Sequence, residues 1–469
     1  MYQQLRQCFT RPNLQAGDGT AEFPFFLFTG DLRGAPTIRN TAWSRTYIDF
    51  LSVNNLRSFF NAPSGSDERY WFDIWNMQRF SIWDNFYKVI ASANIQYSKV
   101  DEIKNLSDQE RATYKAEAVF IRSFAYFMMV RLWGDVPYYT KAYQTESLPR
   151  TKMVEVLKNC LADLQPVYEN LPWTYDDPVY VGVRGMRGSA LALMMHINMW
   201  LAGFDVDNAT QYYEGVAKLG DELVTKNGGA YALLPIEKTG EIFKGRSKEA
   251  LFEIPQNKRY NERFGWGTYF DHVNPQKELN SFNQSGAYPY IFYTIKFMDA
   301  LWPQASSDKD LRKTLWYRAS TLYTQKADFR MYKFLLSIDE SNPDFGSFDA
   351  SAVVFRYSDA ILLYGEALAD LGRDAEAKDI VQIVRNRAEA PPLTSSGDDL
   401  KDDIYLERGR ELMGEGHWWY DLVRTRRILK NPYGYTASLS QFLAGCWTWP
   451  IDKAALKNNP YMTLNNYWL

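Results

Sequence analysis

Apolar residues recur every three or four positions over long parts of this chain, which places them on one face of an α-helix. The clearest run begins at Ser107, where Ser107-Asp108-Gln109-Glu110 has the spacing of a capping box at a helix N-terminus. Gly134 and Pro137 end the run, so the pattern predicts one long helix between Ser107 and Gly134. Its apolar stripe consists of Tyr114, Ala118, Ile121, Ala125, Met128 and Leu132.

Further helices are predicted in pairs joined by short turns. One helix begins at about Thr151, and a helix pair spans 188–202 and 209–224. The clearest pair is predicted over 351–388, where a turn at Gly372 separates two apolar stripes. The small residues Gly365, Ala367 and Ala369 would let its two helices approach closely. This pattern is similar to a tetratricopeptide unit, and three or four such pairs would stack into a solenoid-like scaffold.

Other parts of the chain lack this periodicity and are rich in Gly, Pro, Asn and aromatic residues. Long irregular segments inside a folded protein are usually functional. We therefore predict a single body over 1–469, divided into a helical repeat scaffold at 81–224 and 351–430, variable ligand-binding loops at 16–80 and 225–350, and an irregular C-terminal segment at 431–469. Aromatic rings are dense from Tyr260 to Trp316, and we expect them to face water as part of a binding surface.

Composition narrows the class of protein. The chain has 469 residues, 46% of them hydrophobic, and a net charge of −3, so it can bury a large core but offers no basic field for nucleic acid. Aromatic residues make up 16% of the chain, more than its core requires. We expect no nucleic-acid partner.

The cysteines and the first residues of the chain predict no further structural site or targeting signal. Cys8, Cys160 and Cys446 are far apart and form no CxxC or Cys/His cluster, so neither a disulfide framework nor a zinc site is predicted. No apolar run is long enough for a membrane span, and the first residues lack a signal-peptide pattern. Leu5 and Cys8 have lipobox spacing, but Arg6 and Gln7 do not fit, and we interpret Cys8 as an ordinary residue.

Several motifs occur in one order from residue 83 to residue 460, and together they resemble the SusD/RagB family. In the first half they are Trp83, Tyr87, Ile90 and Asn94 on one helix, the stretch from Ala116-Glu117-Ala118 to Tyr126-Phe127, and the corner Gly134-Asp135-Val136-Pro137. In the second half they are Arg356-Tyr357-Ser358-Asp359 to Glu366-Ala367, Val384-Arg385-Asn386-Arg387-Ala388, Glu407-Arg408 with Glu411-Leu412, Glu415-Gly416-His417-Trp418 to Arg424, and Trp449-Pro450-Ile451 with Asn459-Pro460. Gly409, His417 and Asn465-Asn466-Tyr467 depart from the family pattern.

This resemblance implies a mainly α fold: a tetratricopeptide-like helical-pair scaffold with long irregular loop insertions. It implies an outer-membrane, cell-surface lipoprotein that binds oligosaccharide or polysaccharide and delivers it to a SusC-like TonB-dependent transporter. The membrane anchor would be a lipid on a segment that precedes residue 1. The resemblance implies a binding protein, not an enzyme, and we expect neither cofactor nor metal.

The same resemblance places the glycan site in the variable loops. A flat aromatic ring can bury the C–H face of a sugar, while Asn, Asp and Arg side chains bond its hydroxyls. The candidate platforms are Trp71, Trp75, Trp266, Tyr288, Tyr290 and Trp302, and the candidate hydroxyl partners are Asn283, Asp31 and Arg33. We expect at least two of these rings to face a ligand.

Two other functions stay open on the sequence. A helical glycoside hydrolase would need a carboxylate pair, and Glu407, Glu411, Glu415 and Asp421 could supply one. Each is accompanied by Arg408, Arg410, Arg424, Arg426 or Arg427, however, which favours a structural ion-pair network over a general acid. The second alternative is a repeat scaffold that binds peptides or proteins, and peptide cargo is also possible within the family.

Overall fold

Helices form most of the structure, a computed structural model that describes residues 1–9, 25–255, 272–273, 289–325, 329–334, 351–457 and 459–468. The α-helices in its first half are α1 Tyr2–Phe9, α2 Tyr47–Ser52, α3 Leu56–Phe60, α4 Asp67–Ile74, α5 Asp84–Lys99, α6 Asp108–Trp133, α7 Met153–Leu164, α8 Arg187–Phe204 and α9 Ala209–Thr225. Those that follow are α10 Thr239–Lys244, α11 Ile295–Leu301, α12 Leu311–Leu315, α13 Tyr357–Asp370, α14 Asp374–Arg387, α15 Gly397–Leu412, α16 Trp418–Arg424 and α17 Leu439–Ala444.

Short 3-10 turns connect many of these helices. They span Met77–Ser81, Val100–Glu102, Tyr168–Asn170, Pro178–Tyr180, Val206–Asn208, Ile236–Lys238, Ala319–Thr321, Arg427–Leu429, Lys453–Leu456 and Asn466–Trp468. A π-helical turn, Leu27–Asp31, precedes the first strand. The strands are β1 Thr37–Arg39, β2 Ala250–Pro255, β3 Ile291–Tyr293 and β4 Ser351–Arg356.

The paired helices stack side by side, which confirms the predicted tetratricopeptide-like frame. Helix α5 packs on α6, α6 on α7, α7 on α8, and α8 on α9. The chain then leaves the stack and returns with α13, which packs against α9 and pairs with α14. The long insertion between α9 and α13 therefore begins and ends at neighbouring helices of one continuous helical frame.

Helix α6 shows how the local sequence defines this frame. The Ser107 hydroxyl accepts a bond from the Glu110 N–H, and the Glu110 carboxylate accepts one from the Ser107 N–H, which completes the predicted capping box. Gly134 ends the helix with φ of 73°, a conformation that disfavours other residues. Asp135 then accepts a hydrogen bond from the Met153 N–H at 2.9 Å and so fixes the start of α7.

Glycines allow the close approach of helices in the frame. A Cβ atom at Gly365 would lie 2.5 Å from the Val381 side chain on α14, and one at Gly220 would lie 2.5 Å from the Tyr364 ring on α13. The prediction that small residues bring the 351–388 helices together is confirmed for Gly365.

Two antiparallel strand pairs tie the insertion to the frame. Strand β1 pairs with β3, with Ile38 opposite Phe292, and β2 pairs with β4, with Glu253 opposite Val353. The predicted helical pair at 351–388 is therefore wrong in its first six residues, 351–356, which are strand. Two adjacent valines there favour a strand, and the helical stripe begins only at Tyr357.

The prediction of irregular structure over 16–80 is also wrong in part. Helices α2, α3 and α4 follow one another there, and Asn55 and Ser66 cap the N-termini of the last two. Each helix has only five to eight residues, too short for a helical period to stand out.

The rings in the insertion also lie differently from the prediction. Tyr290, Phe292, Tyr293, Trp302 and Trp316 are all buried, so the expectation that rings of the 260–316 region face water is wrong for these five. Strand β3 carries Phe292 and Tyr293 into the core cluster, and helix α11 carries Phe297, which is also buried. The remaining rings of that region lie outside the described residues.

The cysteines and the helix lengths agree with the sequence. Cys8, Cys160 and Cys446 are free and buried. In the described parts of the chain, no helix combines the length and the apolar character that crossing a membrane requires.

Candidate functional site

Short elements of the 25–80 region bring several rings and a cation to one place, which we call the aromatic cluster: Trp43, Arg45, Tyr47, Tyr70, Trp71, Trp75, His272 and Tyr290. Trp43, Arg45 and Tyr47 come from the turn before α2 and its first residue, and Tyr70, Trp71 and Trp75 from α4 and its C-terminal cap. The β1–β3 pair extends to Asn40, whose N–H donates to the Tyr290 carbonyl at 2.8 Å. That pairing brings Tyr290 to the cluster from the distant insertion.

Tyr70, Trp71 and Trp43 are the rings of the cluster that are not fully buried, and the first two lie side by side. Tyr70 is 58% exposed and Trp71 is half-buried. Their ring centroids are 5.0 Å apart and their planes meet at 81°. The Trp71 indole N–H donates to the Ser44 carbonyl, which ties the ring to the turn before α2. The two rings therefore form a fixed corner that can hold the apolar face of a small ring-shaped ligand.

Arg45 lies between two rings of the cluster. Its guanidinium carbon is 4.1 Å from the Trp71 ring centroid and 4.2 Å from the Tyr290 centroid, so the cation contacts both π faces. Arg45 is only 8% exposed. The sandwich holds the side chain in one orientation and joins the 25–80 region to the insertion.

Behind this surface the cluster is packed and hydrogen-bonded. The Tyr47 hydroxyl and His272 Nε2 are 2.6 Å apart, and both residues are buried. Trp75 stacks on Trp71 with centroids 6.3 Å apart and planes at 20°. This buried layer supports the accessible rings, which lets them meet a ligand with little loss of side-chain entropy.

The structure brings three of the predicted platform residues together. Trp71, Trp75 and Tyr290 are all in the aromatic cluster, although only Trp71 among them is accessible, because Trp75 and Tyr290 are each 5% exposed. The other two candidate rings of this region, Trp266 and Tyr288, lie outside the described residues, as does the candidate hydroxyl partner Asn283.

Trp302 is built into a separate pocket. It is buried, its ring packs edge-on against Tyr317 at 5.1 Å, and its indole N–H donates to Asp310 at 3.2 Å. The adjoining pocket is lined partly by Lys309 and Arg410. Trp302 therefore contributes to the packing of α11 and α12, not to the aromatic cluster.

Asp31 and Arg33 do not have the exposure that a sugar contact needs. Arg33 is fully buried, and its guanidinium donates to the Asn54 side chain and to the carbonyls of Cys446, Trp447 and Thr448. Each of its three nitrogens thus already donates within the protein. Asp31 is also buried and accepts a bond from the Gly416 N–H at 2.7 Å, and burial raises the pKa of its carboxyl well above the ordinary value. Both residues hold the C-terminal part of the chain against the frame.

The carboxylates that a glycosidase would need lie in a buried ion-pair network. Arg312 contacts Glu407 at 2.8 Å, and Arg356 contacts Glu411 at 2.7 Å and Glu415 at 2.6 Å. Burial alone would raise the pKa of Glu407, but Arg312 and its neighbours outweigh burial and lower that pKa to about 2. The pKa values of Glu411 and Glu415 are lowered in the same way. These side chains stay ionised, so none of them can act as a general acid near neutral pH.

Asp421 belongs to a second part of the network, and the arginines divide between different partners. Arg408 contacts Asp421 and Asp359 at 2.9 Å each, and Arg424 contacts Asp421 at 2.8 Å. Two of the arginines expected to accompany these carboxylates lie elsewhere: Arg426 packs over Phe442, and Arg427 pairs with Asp402.

Two histidines and an aspartate come close enough together to be considered as metal ligands. Atoms of His196, Asp359 and His417 lie within 4.8 Å of one another, and all three side chains are buried. Arg408 already bonds Asp359 at 2.9 Å, and His196 Nε2 lies 2.7 Å from the same carboxylate. Burial, assisted by Arg408, lowers the pKa of His417 to about 4. A guanidinium in contact with the carboxylate opposes a metal cation, so we interpret this group as part of the ion-pair network.

Sequence reasoning missed most of the cluster. Trp43, Arg45, Tyr47, Tyr70 and His272 were not among the candidates, although Tyr70 was close to two useful signals. Tyr70 precedes the candidate Trp71, and Ser66 with its acidic neighbours Asp67 and Glu68 is a helix-start signal for α4. No local pattern could show that Arg45 meets Tyr290, because the β1–β3 pairing joins them.

Comparison with known proteins gives matches along most of the chain. A family model described as the SusD family matches residues 317–468, and one described as "Starch-binding associating with outer membrane" matches 37–198. A crystal structure described as a SusD homolog from Bacteroides thetaiotaomicron VPI-5482 is 38% identical, covers 100% of this chain and 96% of its own, and superposes with a TM-score of 0.86.

Two further proteins are more distant. SusD-like protein P38 of Formosa agariphila is 26% identical over 437 residues, which are 82% of this chain and 78% of that protein. A solved structure described as a laminarin binding SusD-like protein is 20% identical, covers 99% of this chain and 96% of its own, and has a TM-score of 0.67, a likeness of fold.

Proposed function

The chain belongs to the SusD/RagB family, and from this premise, with one matching model described as "Starch-binding associating with outer membrane", we propose that it captures glycans at the cell surface. We place the capture site at the aromatic cluster. Helical pairs form the support, and the accessible Tyr70–Trp71 corner forms the contact surface. Laminarin binding by a protein of the same fold supports the proposal.

One observation carries the proposal more than any other: Trp71 is half-buried and held in place, with exposed Tyr70 at a right angle beside it. Burying about 100 Å² of a sugar face on one such ring is worth roughly 2.5 kcal/mol at ~25 cal/mol per Å². Two such rings give about 5 kcal/mol before the cost of association is subtracted, so hydrogen bonds to the sugar hydroxyls must add to them to reach even about millimolar affinity. Weak binding of this kind suits a protein that binds a ligand and releases it to another protein.

Binding of the purified protein to a glycan array tests the capture site. For a glycan that binds on the array, we expect the Trp71→Ala and Tyr70→Ala variants each to weaken binding about tenfold to a hundredfold, because each removes a ring face. Tyr461→Ala is the matched control, since Tyr461 is 59% exposed but lies in the C-terminal segment. Unchanged affinity in both cluster variants would place the site elsewhere.

The two alternative functions predict different results in the same assays. A glycoside hydrolase would release reducing ends from a bound glycan, whereas we expect none, in keeping with ionised, arginine-paired carboxylates at Glu407, Glu411 and Glu415. A peptide-binding scaffold would leave the glycan array silent and bind peptides instead.

We further propose that the protein delivers its glycan to a SusC-like TonB-dependent transporter and is held at the membrane by an N-terminal lipid. Both steps rest on family membership. Copurification of the protein with a TonB-dependent transporter encoded beside its gene tests the first, and mass spectrometry of the protein from native membranes tests the second. Recovery of the protein without any transporter, under conditions that preserve outer-membrane complexes, would argue against delivery.

A further inference from the structure

We propose that the aromatic cluster selects glycans that carry a carboxylate or a sulfate group, and that Arg45 is the residue that binds this anion. The inference rests on the proposed glycan-binding function of the cluster and adds the chemical class of its ligand. Its basis is a buried guanidinium that has rings for neighbours and, within the described parts of the chain, no carboxylate partner.

Arg45 differs from other deeply buried arginines of this protein. It is 8% exposed, yet among the residues that the structure describes no carboxylate pairs with its guanidinium and no oxygen accepts a hydrogen bond from it. In contrast, Arg33 donates to four oxygens, and Arg356 pairs with three carboxylates. A buried, unpaired charge costs free energy, and an arriving anion would recover that cost.

Two acidic groups close to the cluster are used by other arginines. Asp49 on α2 pairs with Arg39 at 2.6 Å, and Asp73 on α4 pairs with Arg69 at 2.8 Å. Neither carboxylate therefore pairs with Arg45. Arg45 is the member of the aromatic cluster that carries a permanent charge, so the cluster itself is cationic, although the chain as a whole is slightly acidic.

The sandwich also defines which kind of ligand group can bind. Trp71 and Tyr290 lie over the guanidinium, and the five N–H donors of arginine lie in the guanidinium plane. A planar fork of this kind matches the two oxygens of a carboxylate or sulfate, which form charge-assisted bonds roughly twice as strong as neutral ones. A neutral hydroxyl would satisfy only part of the fork, so charge on the glycan should decide affinity.

Matched glycan pairs test the inference by isothermal titration. Polygalacturonate is compared with its fully methyl-esterified form, and κ-carrageenan with its desulfated form, which separates carboxylate from sulfate. Laminarin serves as a neutral glucan. We expect the charged member of at least one pair to bind about tenfold to a hundredfold more tightly. We expect Arg45→Met to abolish that preference.

The control is Arg69→Met, because Arg69 lies on the same helix as Trp71 and already has Asp73 as a partner. This variant should keep the preference for charge. The melting temperature of Arg45→Met should be no lower than that of the control, since the substitution removes an unpaired buried cation. A marked fall in melting temperature would mean that Arg45 is a structural residue and would overturn the inference.

The remaining outcomes separate the inference from the function on which it rests. If the neutral member of each pair binds as tightly as the charged member, and Trp71→Ala abolishes that binding, then glycan capture is upheld and selection for charge is overturned. Retention of the preference in Arg45→Met would also overturn it. Binding of no glycan, on this panel or on the array, would overturn the proposed function and the inference with it.

Discussion

At the scale of single residues, the buried charges of this protein depend on what surrounds them. Arg356 is 1% exposed and lies within 3.1 Å of Glu249, Glu411 and Glu415. It links strand β4 to the end of α15 and the turn after it. Each of these carboxylates is itself buried, and without Arg356 they would share only Arg387, Arg312 and Lys333, so removal of the cation would leave buried negative charge with fewer partners.

We therefore expect Arg356→Met to lower the free energy of unfolding by about 3–5 kcal/mol, or to prevent folding. Urea denaturation followed by circular dichroism measures the change. Arg373→Met is the control, since Arg373 pairs with Glu376 on the exposed surface of α14 and should leave the urea midpoint unchanged. A wild-type midpoint for Arg356→Met would show that the network does not need this cation.

At the scale of elements, contacts between backbones determine how the helices of the frame meet. Gly203, in the last turn of α8, lies against the Arg424 carbonyl at the end of α16. A Cβ atom there would lie 2.0 Å from that carbonyl oxygen, which belongs to the backbone and cannot turn aside. The glycine thus sets the distance between two helices that are far apart in the chain.

Gly203→Ala should destabilise the protein by about 1–3 kcal/mol, because α16 must shift to admit a methyl group. Thermal or urea unfolding detects this loss. In Gly409→Ala, by contrast, the new methyl group would meet only the tip of the Leu301 side chain at 3.2 Å, so that variant of α15 should remain near wild type. Equal stability of the two variants would contradict the close contact of α8 and α16.

At the scale of the whole molecule, the ion-pair network connects the frame with the insertion and makes stability depend on pH. Burial alone would raise the pKa of Asp421, but Arg408 and Arg424 lower it to about 2, as Arg312 and its neighbours do for Glu407. In the unfolded chain both carboxyls would titrate near pH 4. The folded state thus gains stability from these groups above pH 4 and loses it as the pH falls toward 2.

We accordingly expect the urea midpoint to fall steadily between pH 4 and pH 2. Asp31, whose pKa is raised by burial, acts in the opposite sense, because its folded carboxyl already holds a proton that the unfolded one gains as the pH falls through about 4. Asp73→Asn serves as a control, because it removes an exposed carboxylate and should leave the slope nearly unchanged. A midpoint that stays constant over this range would show that the buried carboxylates are not stabilised as ions.

The sequence by itself determined the helical frame. The Ser107 capping box, the apolar stripe of α6 and the Gly134 terminus depend on residues within a few positions of one another, so they could be predicted without a fold. The α8–α9 pair was predicted to within about two residues for the same reason. The order of motifs along the chain was enough to indicate the family.

Only the tertiary structure decided which rings and charges meet. Arg45, Trp71 and Tyr290 come from separate segments, and the β1–β3 pair and the position of α4 bring them into contact. The exposure of each ring could not be predicted from the local sequence either. Trp75 and Trp302 are tryptophans like Trp71, but they are covered by neighbours distant in sequence. Periodicity records which face of an element is apolar, whereas a binding surface depends on what the rest of the chain leaves uncovered.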